Sequence, residues 1–336
     1  MRAVVTVGHG DRSQLEYRSD YPDPAPASGE VVVEVAATAI NYHDIFTRRG
    51  MPGIRIPLPV VVGSDIAGVV AAVGSGVPAW TPGDRVLVDP VIRDGKRFGM
   101  IGEVADGGRA ERVCVPAAQL LRVPDAVPLD AAAALPLAYG TAHRMLVTRG
   151  AIRPRERVLI LGASGGVGVA CVQLAKLIGA EVVACASTAE KLERLAALGA
   201  DHVVDYTSVG ISQAVRDLYG KPRITGGGGV DVAINFTGGD TWLETQKSVG
   251  LDGRILTCGA TAGYAVTTDV RYLWTFEHRV LGSNGWTPED LTTLMGLIAD
   301  GRLEPVVDRV LPLAETAEGE RLLEDREVFG KVLIKP

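Results

Sequence analysis

Three glycines, Gly162, Gly165 and Gly168, recur at every third position in Val158-Leu159-Ile160-Leu161-Gly162-Ala163-Ser164-Gly165-Gly166-Val167-Gly168-Val169-Ala170. A short apolar run that reads as a buried strand, Arg157–Leu161, precedes them. Gly166–Ile178, with apolar residues at helical spacing, follows. A tight strand-to-helix turn of this kind aims helix N-terminal amides at an anion, and any Cβ there would hold the anion off. Glycines also mark ordinary turns, but here strand, turn, helix and a second strand at Glu181–Ala186 are all present. The expected chemistry is binding of a dinucleotide pyrophosphate, with Gly162, Ser164, Gly165, Gly166, Val167 and Gly168 forming the cradle.

The end of the second strand selects the dinucleotide. A site for NAD usually places Asp or Glu there to bond the ribose 2′-hydroxyl. This strand ends Cys185-Ala186-Ser187-Thr188, with no acid before Glu190; Lys191 and Arg194 follow, and Tyr206 ends the third strand. Hydroxyls and cations suit a 2′-phosphate, so Ser187, Lys191 and Tyr206 are expected to contact NADPH. Ser187-Thr188-Ala189-Glu190 also reads as a capping box, which is compatible with that role.

These residues need two kinds of scaffold. Before about residue 126 the chain reads as short strands, Arg2–Val7, Glu30–Ile40, Val60–Val73, Arg85–Val88 and Ala110–Val115, separated by Gly and Pro turns. From about Asp130 strands alternate with helices, the rhythm of a parallel sheet covered on both faces. The helix Thr188–Leu198 is closed by Gly199, and Pro288–Ala299 forms a later helix. The tail, Val306–Pro312 and Lys331–Ile334 around a helix, is expected to return to the first domain.

With 336 residues, 47% of them hydrophobic, the chain can fill two ordinary cores. A net charge of −6 without a basic stripe excludes nucleic acid as a partner on electrostatic grounds. Apolar runs stop well short of the roughly 20 residues a membrane span needs. The N-terminus lacks the pattern of a signal peptide, so a cytoplasmic location is expected. Cys114, Cys171, Cys185 and Cys258 stand singly, with no zinc-ribbon pair and no disulfide framework.

The whole chain, Met1 to Pro336, resembles the medium-chain dehydrogenase/reductase superfamily. The glycine turn, Leu192-Glu193-Arg194-Leu195-Ala196-Ala197-Leu198-Gly199-Ala200-Asp201, Asn235-Phe236-Thr237-Gly238-Gly239 and Phe329-Gly330-Lys331-Val332-Leu333-Ile334 carry the likeness. Asn41-Tyr42-His43-Asp44 and Ala163-Ser164-Gly165-Gly166-Val167-Gly168 are most similar to its zinc-independent quinone oxidoreductases and enoyl reductases. The resemblance implies an α/β protein: a GroES-like β-rich catalytic domain (1–126 and 291–336) and a Rossmann domain with a doubly wound parallel sheet (127–290). It places Thr141, Asn235, Thr237, Gly238, Gly259, Ala260, Asn284 and Lys331 along the cofactor. Tyr139, Tyr264 and Trp286 are candidates for the substrate mouth or for plain packing.

Departures from the zinc-dependent branch decide the expected chemistry. Asn41 stands where that branch has Cys, Gly63-Ser64-Asp65 where it has Gly-His-Glu, and Leu137 near its third ligand. The lobe of four cysteines is replaced by the polar loop 92–99. Zinc needs about three Cys, His or carboxylate ligands, and the usual positions do not supply them. Without a Lewis acid, hydride delivery to a conjugated acceptor is favoured over oxidation of a simple alcohol. Charge then spreads onto an enolate or quinol oxygen that donors can hold. Asn41, Tyr42 and Asp44 are the catalytic candidates: Asn41 as that donor or as a ribose ligand, Tyr42 as proton donor or packing aromatic, Asp44 alternatively as a hydrogen-bonding scaffold. The expectation is therefore an NADPH-dependent, metal-free reductase of an enone, enoyl thioester or quinone. A zinc dehydrogenase with displaced ligands and a non-catalytic NADPH-binding protein like zeta-crystallin are the alternatives. The apolar strand around Arg279–Ser283 ends the sheet, and the family pairs this edge across a twofold axis. A homodimer, or a dimer of dimers, is expected.

Overall fold

The computed structural model describes residues 1–51, 55–93 and 99–336. They form two compact units, Met1–Ala138 with Pro288–Pro336, and Tyr139–Thr287. The core of the loop expected to replace the cysteine lobe, residues 94–98, lies outside the described residues.

In the first unit Val31, Val33 and Val35 alternate with polar or oppositely facing residues on the strand Glu30–Ala39. This period of two buries them with Ile66, Val70, Val86, Val88, Val113 and Val115 in one core. The sheet runs in the order Val307–Pro312, Lys331–Lys335, Glu30–Ala39, Asp65–Val73, Arg85–Val88, Leu120–Arg122, and Arg112–Pro116 pairs with Glu30–Ala39 as well. The tail does return: Leu333 lies opposite Ala39, and Ala39 opposite Asp65. Three distant stretches of sequence thus meet at one end of this sheet.

One local expectation fails here, and one element lies beyond the sequence reading. Val60–Val73 is two strands, because Gly63 turns the chain with a φ of +103°. A Cβ there would stand 2.9 Å from the Arg109 side chain. Val60–Val61 pairs instead with Ala3–Thr6 in a second, three-stranded sheet. Beyond Asn41 the chain enters a helix, Tyr42–Arg49, with Asp44 accepting a hydrogen bond from the Asn41 backbone N–H at 2.9 Å. That capping-box pattern, Asn-x-x-Asp, was available in the sequence as a helix signal.

The second unit carries six parallel strands: Arg157–Ile160, Glu181–Ala186, His202–Asp205, Val230–Ile234, Val249–Thr257 and Arg279–Gly282. Their spatial order is third, second, first, fourth, fifth, sixth, the doubly wound Rossmann arrangement. The helix Gly166–Ile178 matches the expected bounds, and Ala189–Ala197 is followed by Gly199 at a φ of +107°. Arg279–Gly282 is an edge strand that pairs with Val249–Thr257, and its Val280 is 43% exposed. Burial pushes the Cys185 and Cys258 thiols up to about 12, so neither is a ready nucleophile. Among the described residues no helix is long and apolar enough to cross a membrane.

Candidate active site

The glycine turn divides its labour by position. Gly162, at the end of the first strand, has a φ of +64°, and a Cβ on it would meet Phe236 and the Thr237 hydroxyl. Gly168 lies against the turn's own backbone: its Cβ would stand 2.3 Å from the Gly162 carbonyl oxygen. Gly165 differs from both. It is the N-cap of Gly166–Ile178, and beyond its own chain neighbours the nearest atom to its would-be Cβ is the Gly162 oxygen at 3.7 Å. The protein therefore has steric reasons for Gly162 and Gly168, and no internal one for Gly165. Open space beside the first, unpaired amides of a helix fits a pyrophosphate.

The loop after the fourth strand lies against this turn at Phe236 and Thr237, and the loop after the fifth strand is bonded to that loop. Ala262 N–H donates to the Thr237 carbonyl at 2.8 Å, and Thr261 N–H to that of Phe236 at 3.1 Å. Thr237, Gly238, Gly259 and Ala260 thus lie at the C-terminal ends of the central strands, where open parallel sheets bind ligands. Asn235 underpins them instead of pointing at a ligand. Its Oδ1 accepts from the N–H groups of Thr237 and Gly238, both at 2.9 Å, while its Nδ2 donates to the Thr241 and Thr245 hydroxyls. Thr141 is buried in a one-turn helix between π-helical stretches Leu135–Gly140 and Arg144–Arg149, and its turn packs on Gly166–Ile178. Tyr139, a candidate for the substrate mouth, is fully buried, and its hydroxyl donates to Gln173 at 2.7 Å. Tyr264 is exposed, Trp286 is buried, and Asn284 is exposed beyond the sixth strand.

At the end of the second strand, Thr188 and not Ser187 caps the next helix, its hydroxyl accepting from Lys191 N–H at 3.3 Å. The capping box read at Ser187–Glu190 does not form: the N-cap is Thr188, its N3 residue is Lys191, which has no acceptor, and the Ser187 hydroxyl is not spent on the cap. Tyr206 N–H donates to the Ala186 carbonyl, which brings Tyr206 beside Ser187. The acid at the end of the third strand, Asp205, is tied to Thr207, whose hydroxyl and amide hold its carboxyl below the usual range.

In the first unit the Asn41 side chain is the centre of a buried polar cluster. Its Oδ1 accepts from the Lys331 ammonium, which also donates to the Ile40 carbonyl at 3.2 Å and to Asp65 Oδ2 at 3.1 Å. Asp65 Oδ1 accepts from Leu137 N–H at 2.9 Å. Among the described residues, buried Asn41 Nδ2 finds no hydrogen-bond partner, and neither does Ser64 Oγ in the turn before Asp65. An unpaired buried donor costs about 1–3 kcal/mol, which a fold tolerates where a ligand completes it.

Three assignments change. Lys331 does not extend toward a cofactor; all three of its donors are taken within the first unit. Asp44 is fully buried and bonded to Arg109 at 2.8 Å; Arg109 also binds Glu320, and Glu320 binds Arg48 at 2.7 Å. Breaking such a buried pair costs about 3–5 kcal/mol. Asp44 holds the helix together and is not a catalytic group. Tyr42 donates its hydroxyl to the Leu323 carbonyl at 3.2 Å, and burial raises its pKa. Both facts weaken it as a proton donor.

Zinc does not fit these residues. The three positions offer a carboxamide, a hydroxyl followed by a carboxylate, and an aliphatic chain. The space between Asn41 and Asp65 already holds the chain's own cation, Lys331.

The comparisons agree with this architecture. Residues 27–125 match the family model described as alcohol dehydrogenase GroES-like domain, and residues 166–300 the model described as zinc-binding dehydrogenase. The acryloyl-coenzyme A reductase of Metallosphaera sedula is 31% identical over 99% of both chains. A solved structure described as an NAD-dependent alcohol dehydrogenase is 38% identical, covers 100% of both chains and superposes with a TM-score of 0.93. The 2-octenoyl-CoA carboxylase reductase CinF, solved with NADP and 2-octenoyl-CoA, is 30% identical with a TM-score of 0.88, over 99% of this chain and 87% of its own. A β-rich GroES-like unit, a six-stranded Rossmann unit with its glycine turn, and relatives matched along nearly their full length lead to one conclusion: the chain belongs to the medium-chain dehydrogenase/reductase superfamily of nicotinamide-dependent oxidoreductases.

Proposed function

We propose that this protein is an NADPH-dependent, metal-free reductase of conjugated carbonyl compounds, with an enoyl thioester as the acceptor class. The observation that carries the reading is Asn41 Nδ2, a buried donor without a partner among the described residues, at the position where a zinc enzyme of this family has a metal ligand. The names of the acryloyl- and octenoyl-CoA reductases support the thioester over a quinone.

Bound reduced nicotinamide supplies a hydride. The rest is the work of the chain. The amides of Gly166 and Val167 and the gap at Gly165 hold the pyrophosphate, with the Thr237 hydroxyl alongside. When the acceptor's β-carbon is reduced, negative charge gathers on its carbonyl oxygen, and Asn41 Nδ2 donates a hydrogen bond to it. That donor strengthens as charge develops, which is the condition for lowering the barrier. The proton for the α-carbon comes from water, since the Tyr42 hydroxyl is committed to Leu323.

A second reading, oxidation of an alcohol with NAD, is favoured by the identity to the alcohol dehydrogenase structure. One experiment separates them: NADPH oxidation with a crotonyl thioester, an enone, a quinone and a simple aldehyde, with and without a chelator, alongside elemental analysis. The expected result is turnover of the thioester, unaffected by chelator, with no stoichiometric zinc. Turnover of the aldehyde alone, lost on chelation, would return the alcohol dehydrogenase to first place.

Cofactor choice has its own test. Ser187, Lys191 and Tyr206 are proposed to take the 2′-phosphate, so NADPH should bind at least tenfold more tightly than NADH, about 1.4 kcal/mol. Lys191→Ala should erase much of that gap and leave NADH nearly unchanged, measured by calorimetric titration. Equal loss for both cofactors would make Lys191 a structural residue. We further propose a homodimer, or a dimer of dimers, built through the exposed edge strand Arg279–Gly282. Light scattering at micromolar concentration should give at least twice the chain mass.

A further inference from the structure

We infer that Lys331 is a positioning residue for the reduction: by holding Asn41 Oδ1, it fixes which end of the Asn41 carboxamide meets the acceptor. The inference rests on the proposed role of Asn41 as the oxyanion donor and assigns what makes that role possible.

A carboxamide is nearly symmetric in shape but not in chemistry; one end accepts and the other donates. Left alone, Asn41 could present either end. An oxygen toward a developing enolate would repel it; an N–H would hold it. An ammonium group has three donors and no acceptor. Lys331 Nζ can therefore face only Oδ1, and with Oδ1 held the Nδ2 group must point away from it. The Nδ2 end is the one left buried and without a partner among the described residues.

The lysine is itself fixed. Its two other donors go to the Ile40 carbonyl and Asp65 Oδ2, and its side chain is almost wholly buried. Sheet register brings the three residues together: Leu333 opposes Ala39, which opposes Asp65, so Lys331, Asn41 and Asp65 are near neighbours at one sheet end. Asp65 supplies the countercharge that allows a lysine to be buried there, and Leu137 N–H holds the other oxygen of Asp65. The ammonium also draws electron density through Oδ1, which makes Nδ2–H a stronger donor.

The test is a double-mutant cycle. Lys331→Met, and Lys331→Met with Asp65→Asn so that no buried carboxylate is left unpaired, are each made with Asn41 intact and with Asn41→Ala. Two readouts are taken. The first is kcat and KM with NADPH and a crotonyl thioester. The second needs no turnover: the near-ultraviolet enolate absorbance of bound acetoacetyl-CoA, whose ionised form mimics the anion of the reaction. Expected with Asn41 intact is a fall in kcat of thirtyfold or more, a change in acceptor KM of less than threefold, and loss of the enolate band. With Asn41 already Ala, removing Lys331 should change either readout by less than threefold.

Equal losses in both backgrounds would show a merely structural lysine and overturn the inference. So would a Lys331 variant that keeps kcat within threefold while Asn41→Ala does not; in that case the role of Asn41 survives and that of Lys331 falls. If Asn41→Ala itself keeps full activity and the enolate band, the reading of Asn41 fails and the inference falls with it.

Discussion

Asn41→Ala should lower kcat by a factor of about a hundred to a thousand, the loss of roughly 2.7–4 kcal/mol that follows removal of one preorganised oxyanion donor. Its effect on NADPH affinity should stay within threefold, because the cofactor cradle is built from residues of the other unit. Alanine also takes an acceptor from a buried ammonium, so part of any loss could come from stability. Asn41→Asp separates the two. Aspartate is nearly the same shape and still accepts from Lys331, but it has no N–H to offer. The expected outcome is that Asn41→Asp, in which the one Lys331 ammonium faces two carboxylates, melts somewhat below the parent but, assayed well below that melting temperature, is as inactive as the alanine variant. Tyr42→Phe serves as the neighbouring control: it gives up a hydrogen bond to Leu323 worth about 1 kcal/mol of stability and keeps kcat within threefold. An Asn41→Asp enzyme with near-normal turnover would remove Asn41 from the chemistry.

The contrast between Asn41 and its neighbours marks what the sequence could and could not say. The Rossmann unit was legible because its signals are local: a strand, glycines every third residue, a helix with apolar residues at helical spacing and a terminal glycine. Each element can be read within one window, and Gly166–Ile178 has the expected bounds. The cluster around Asn41 is not local. Lys331 and Asn41 are 290 positions apart, and their meeting depends on the tail strand adding to the sheet in a particular register. One signal was present, a lysine heading the apolar run Val332-Leu333-Ile334, since a charge buried with such a run needs a partner. The family likeness drew Lys331 and Asp44 into the site by position. Side-chain geometry reassigns both, one to holding Asn41 and the other to the Arg109–Glu320–Arg48 network. The helix Tyr42–Arg49 carries little apolar periodicity, since Asp44, Thr47 and Arg48 stand with Ile45 on its buried face.

Gly165→Ala should leave the fold untouched and still cost at least thirtyfold in NADPH affinity, about 2 kcal/mol. The prediction comes from the space around the would-be Cβ. At Gly165 the nearest atom beyond its chain neighbours is 3.7 Å away, ordinary contact distance, and its φ of −78° is open to any residue. An alanine therefore meets no clash in the unliganded protein, and its melting temperature should fall by no more than a few degrees, the cost of alanine in place of glycine at an N-cap. The methyl group would lie at the mouth of the helix, where the phosphate oxygens must come within hydrogen-bond distance of the amides. Gly168→Ala is the opposing case. Its Cβ would stand 2.3 Å from the Gly162 carbonyl oxygen and 2.6 Å from Ala163 Cα, so turn and helix must move apart. Stability and cofactor affinity should fall together there. Calorimetric titration with NADPH and thermal unfolding of both variants make the comparison. An alanine at Gly165 that binds NADPH as tightly as the parent would mean that the open space beside the helix is not where the pyrophosphate sits.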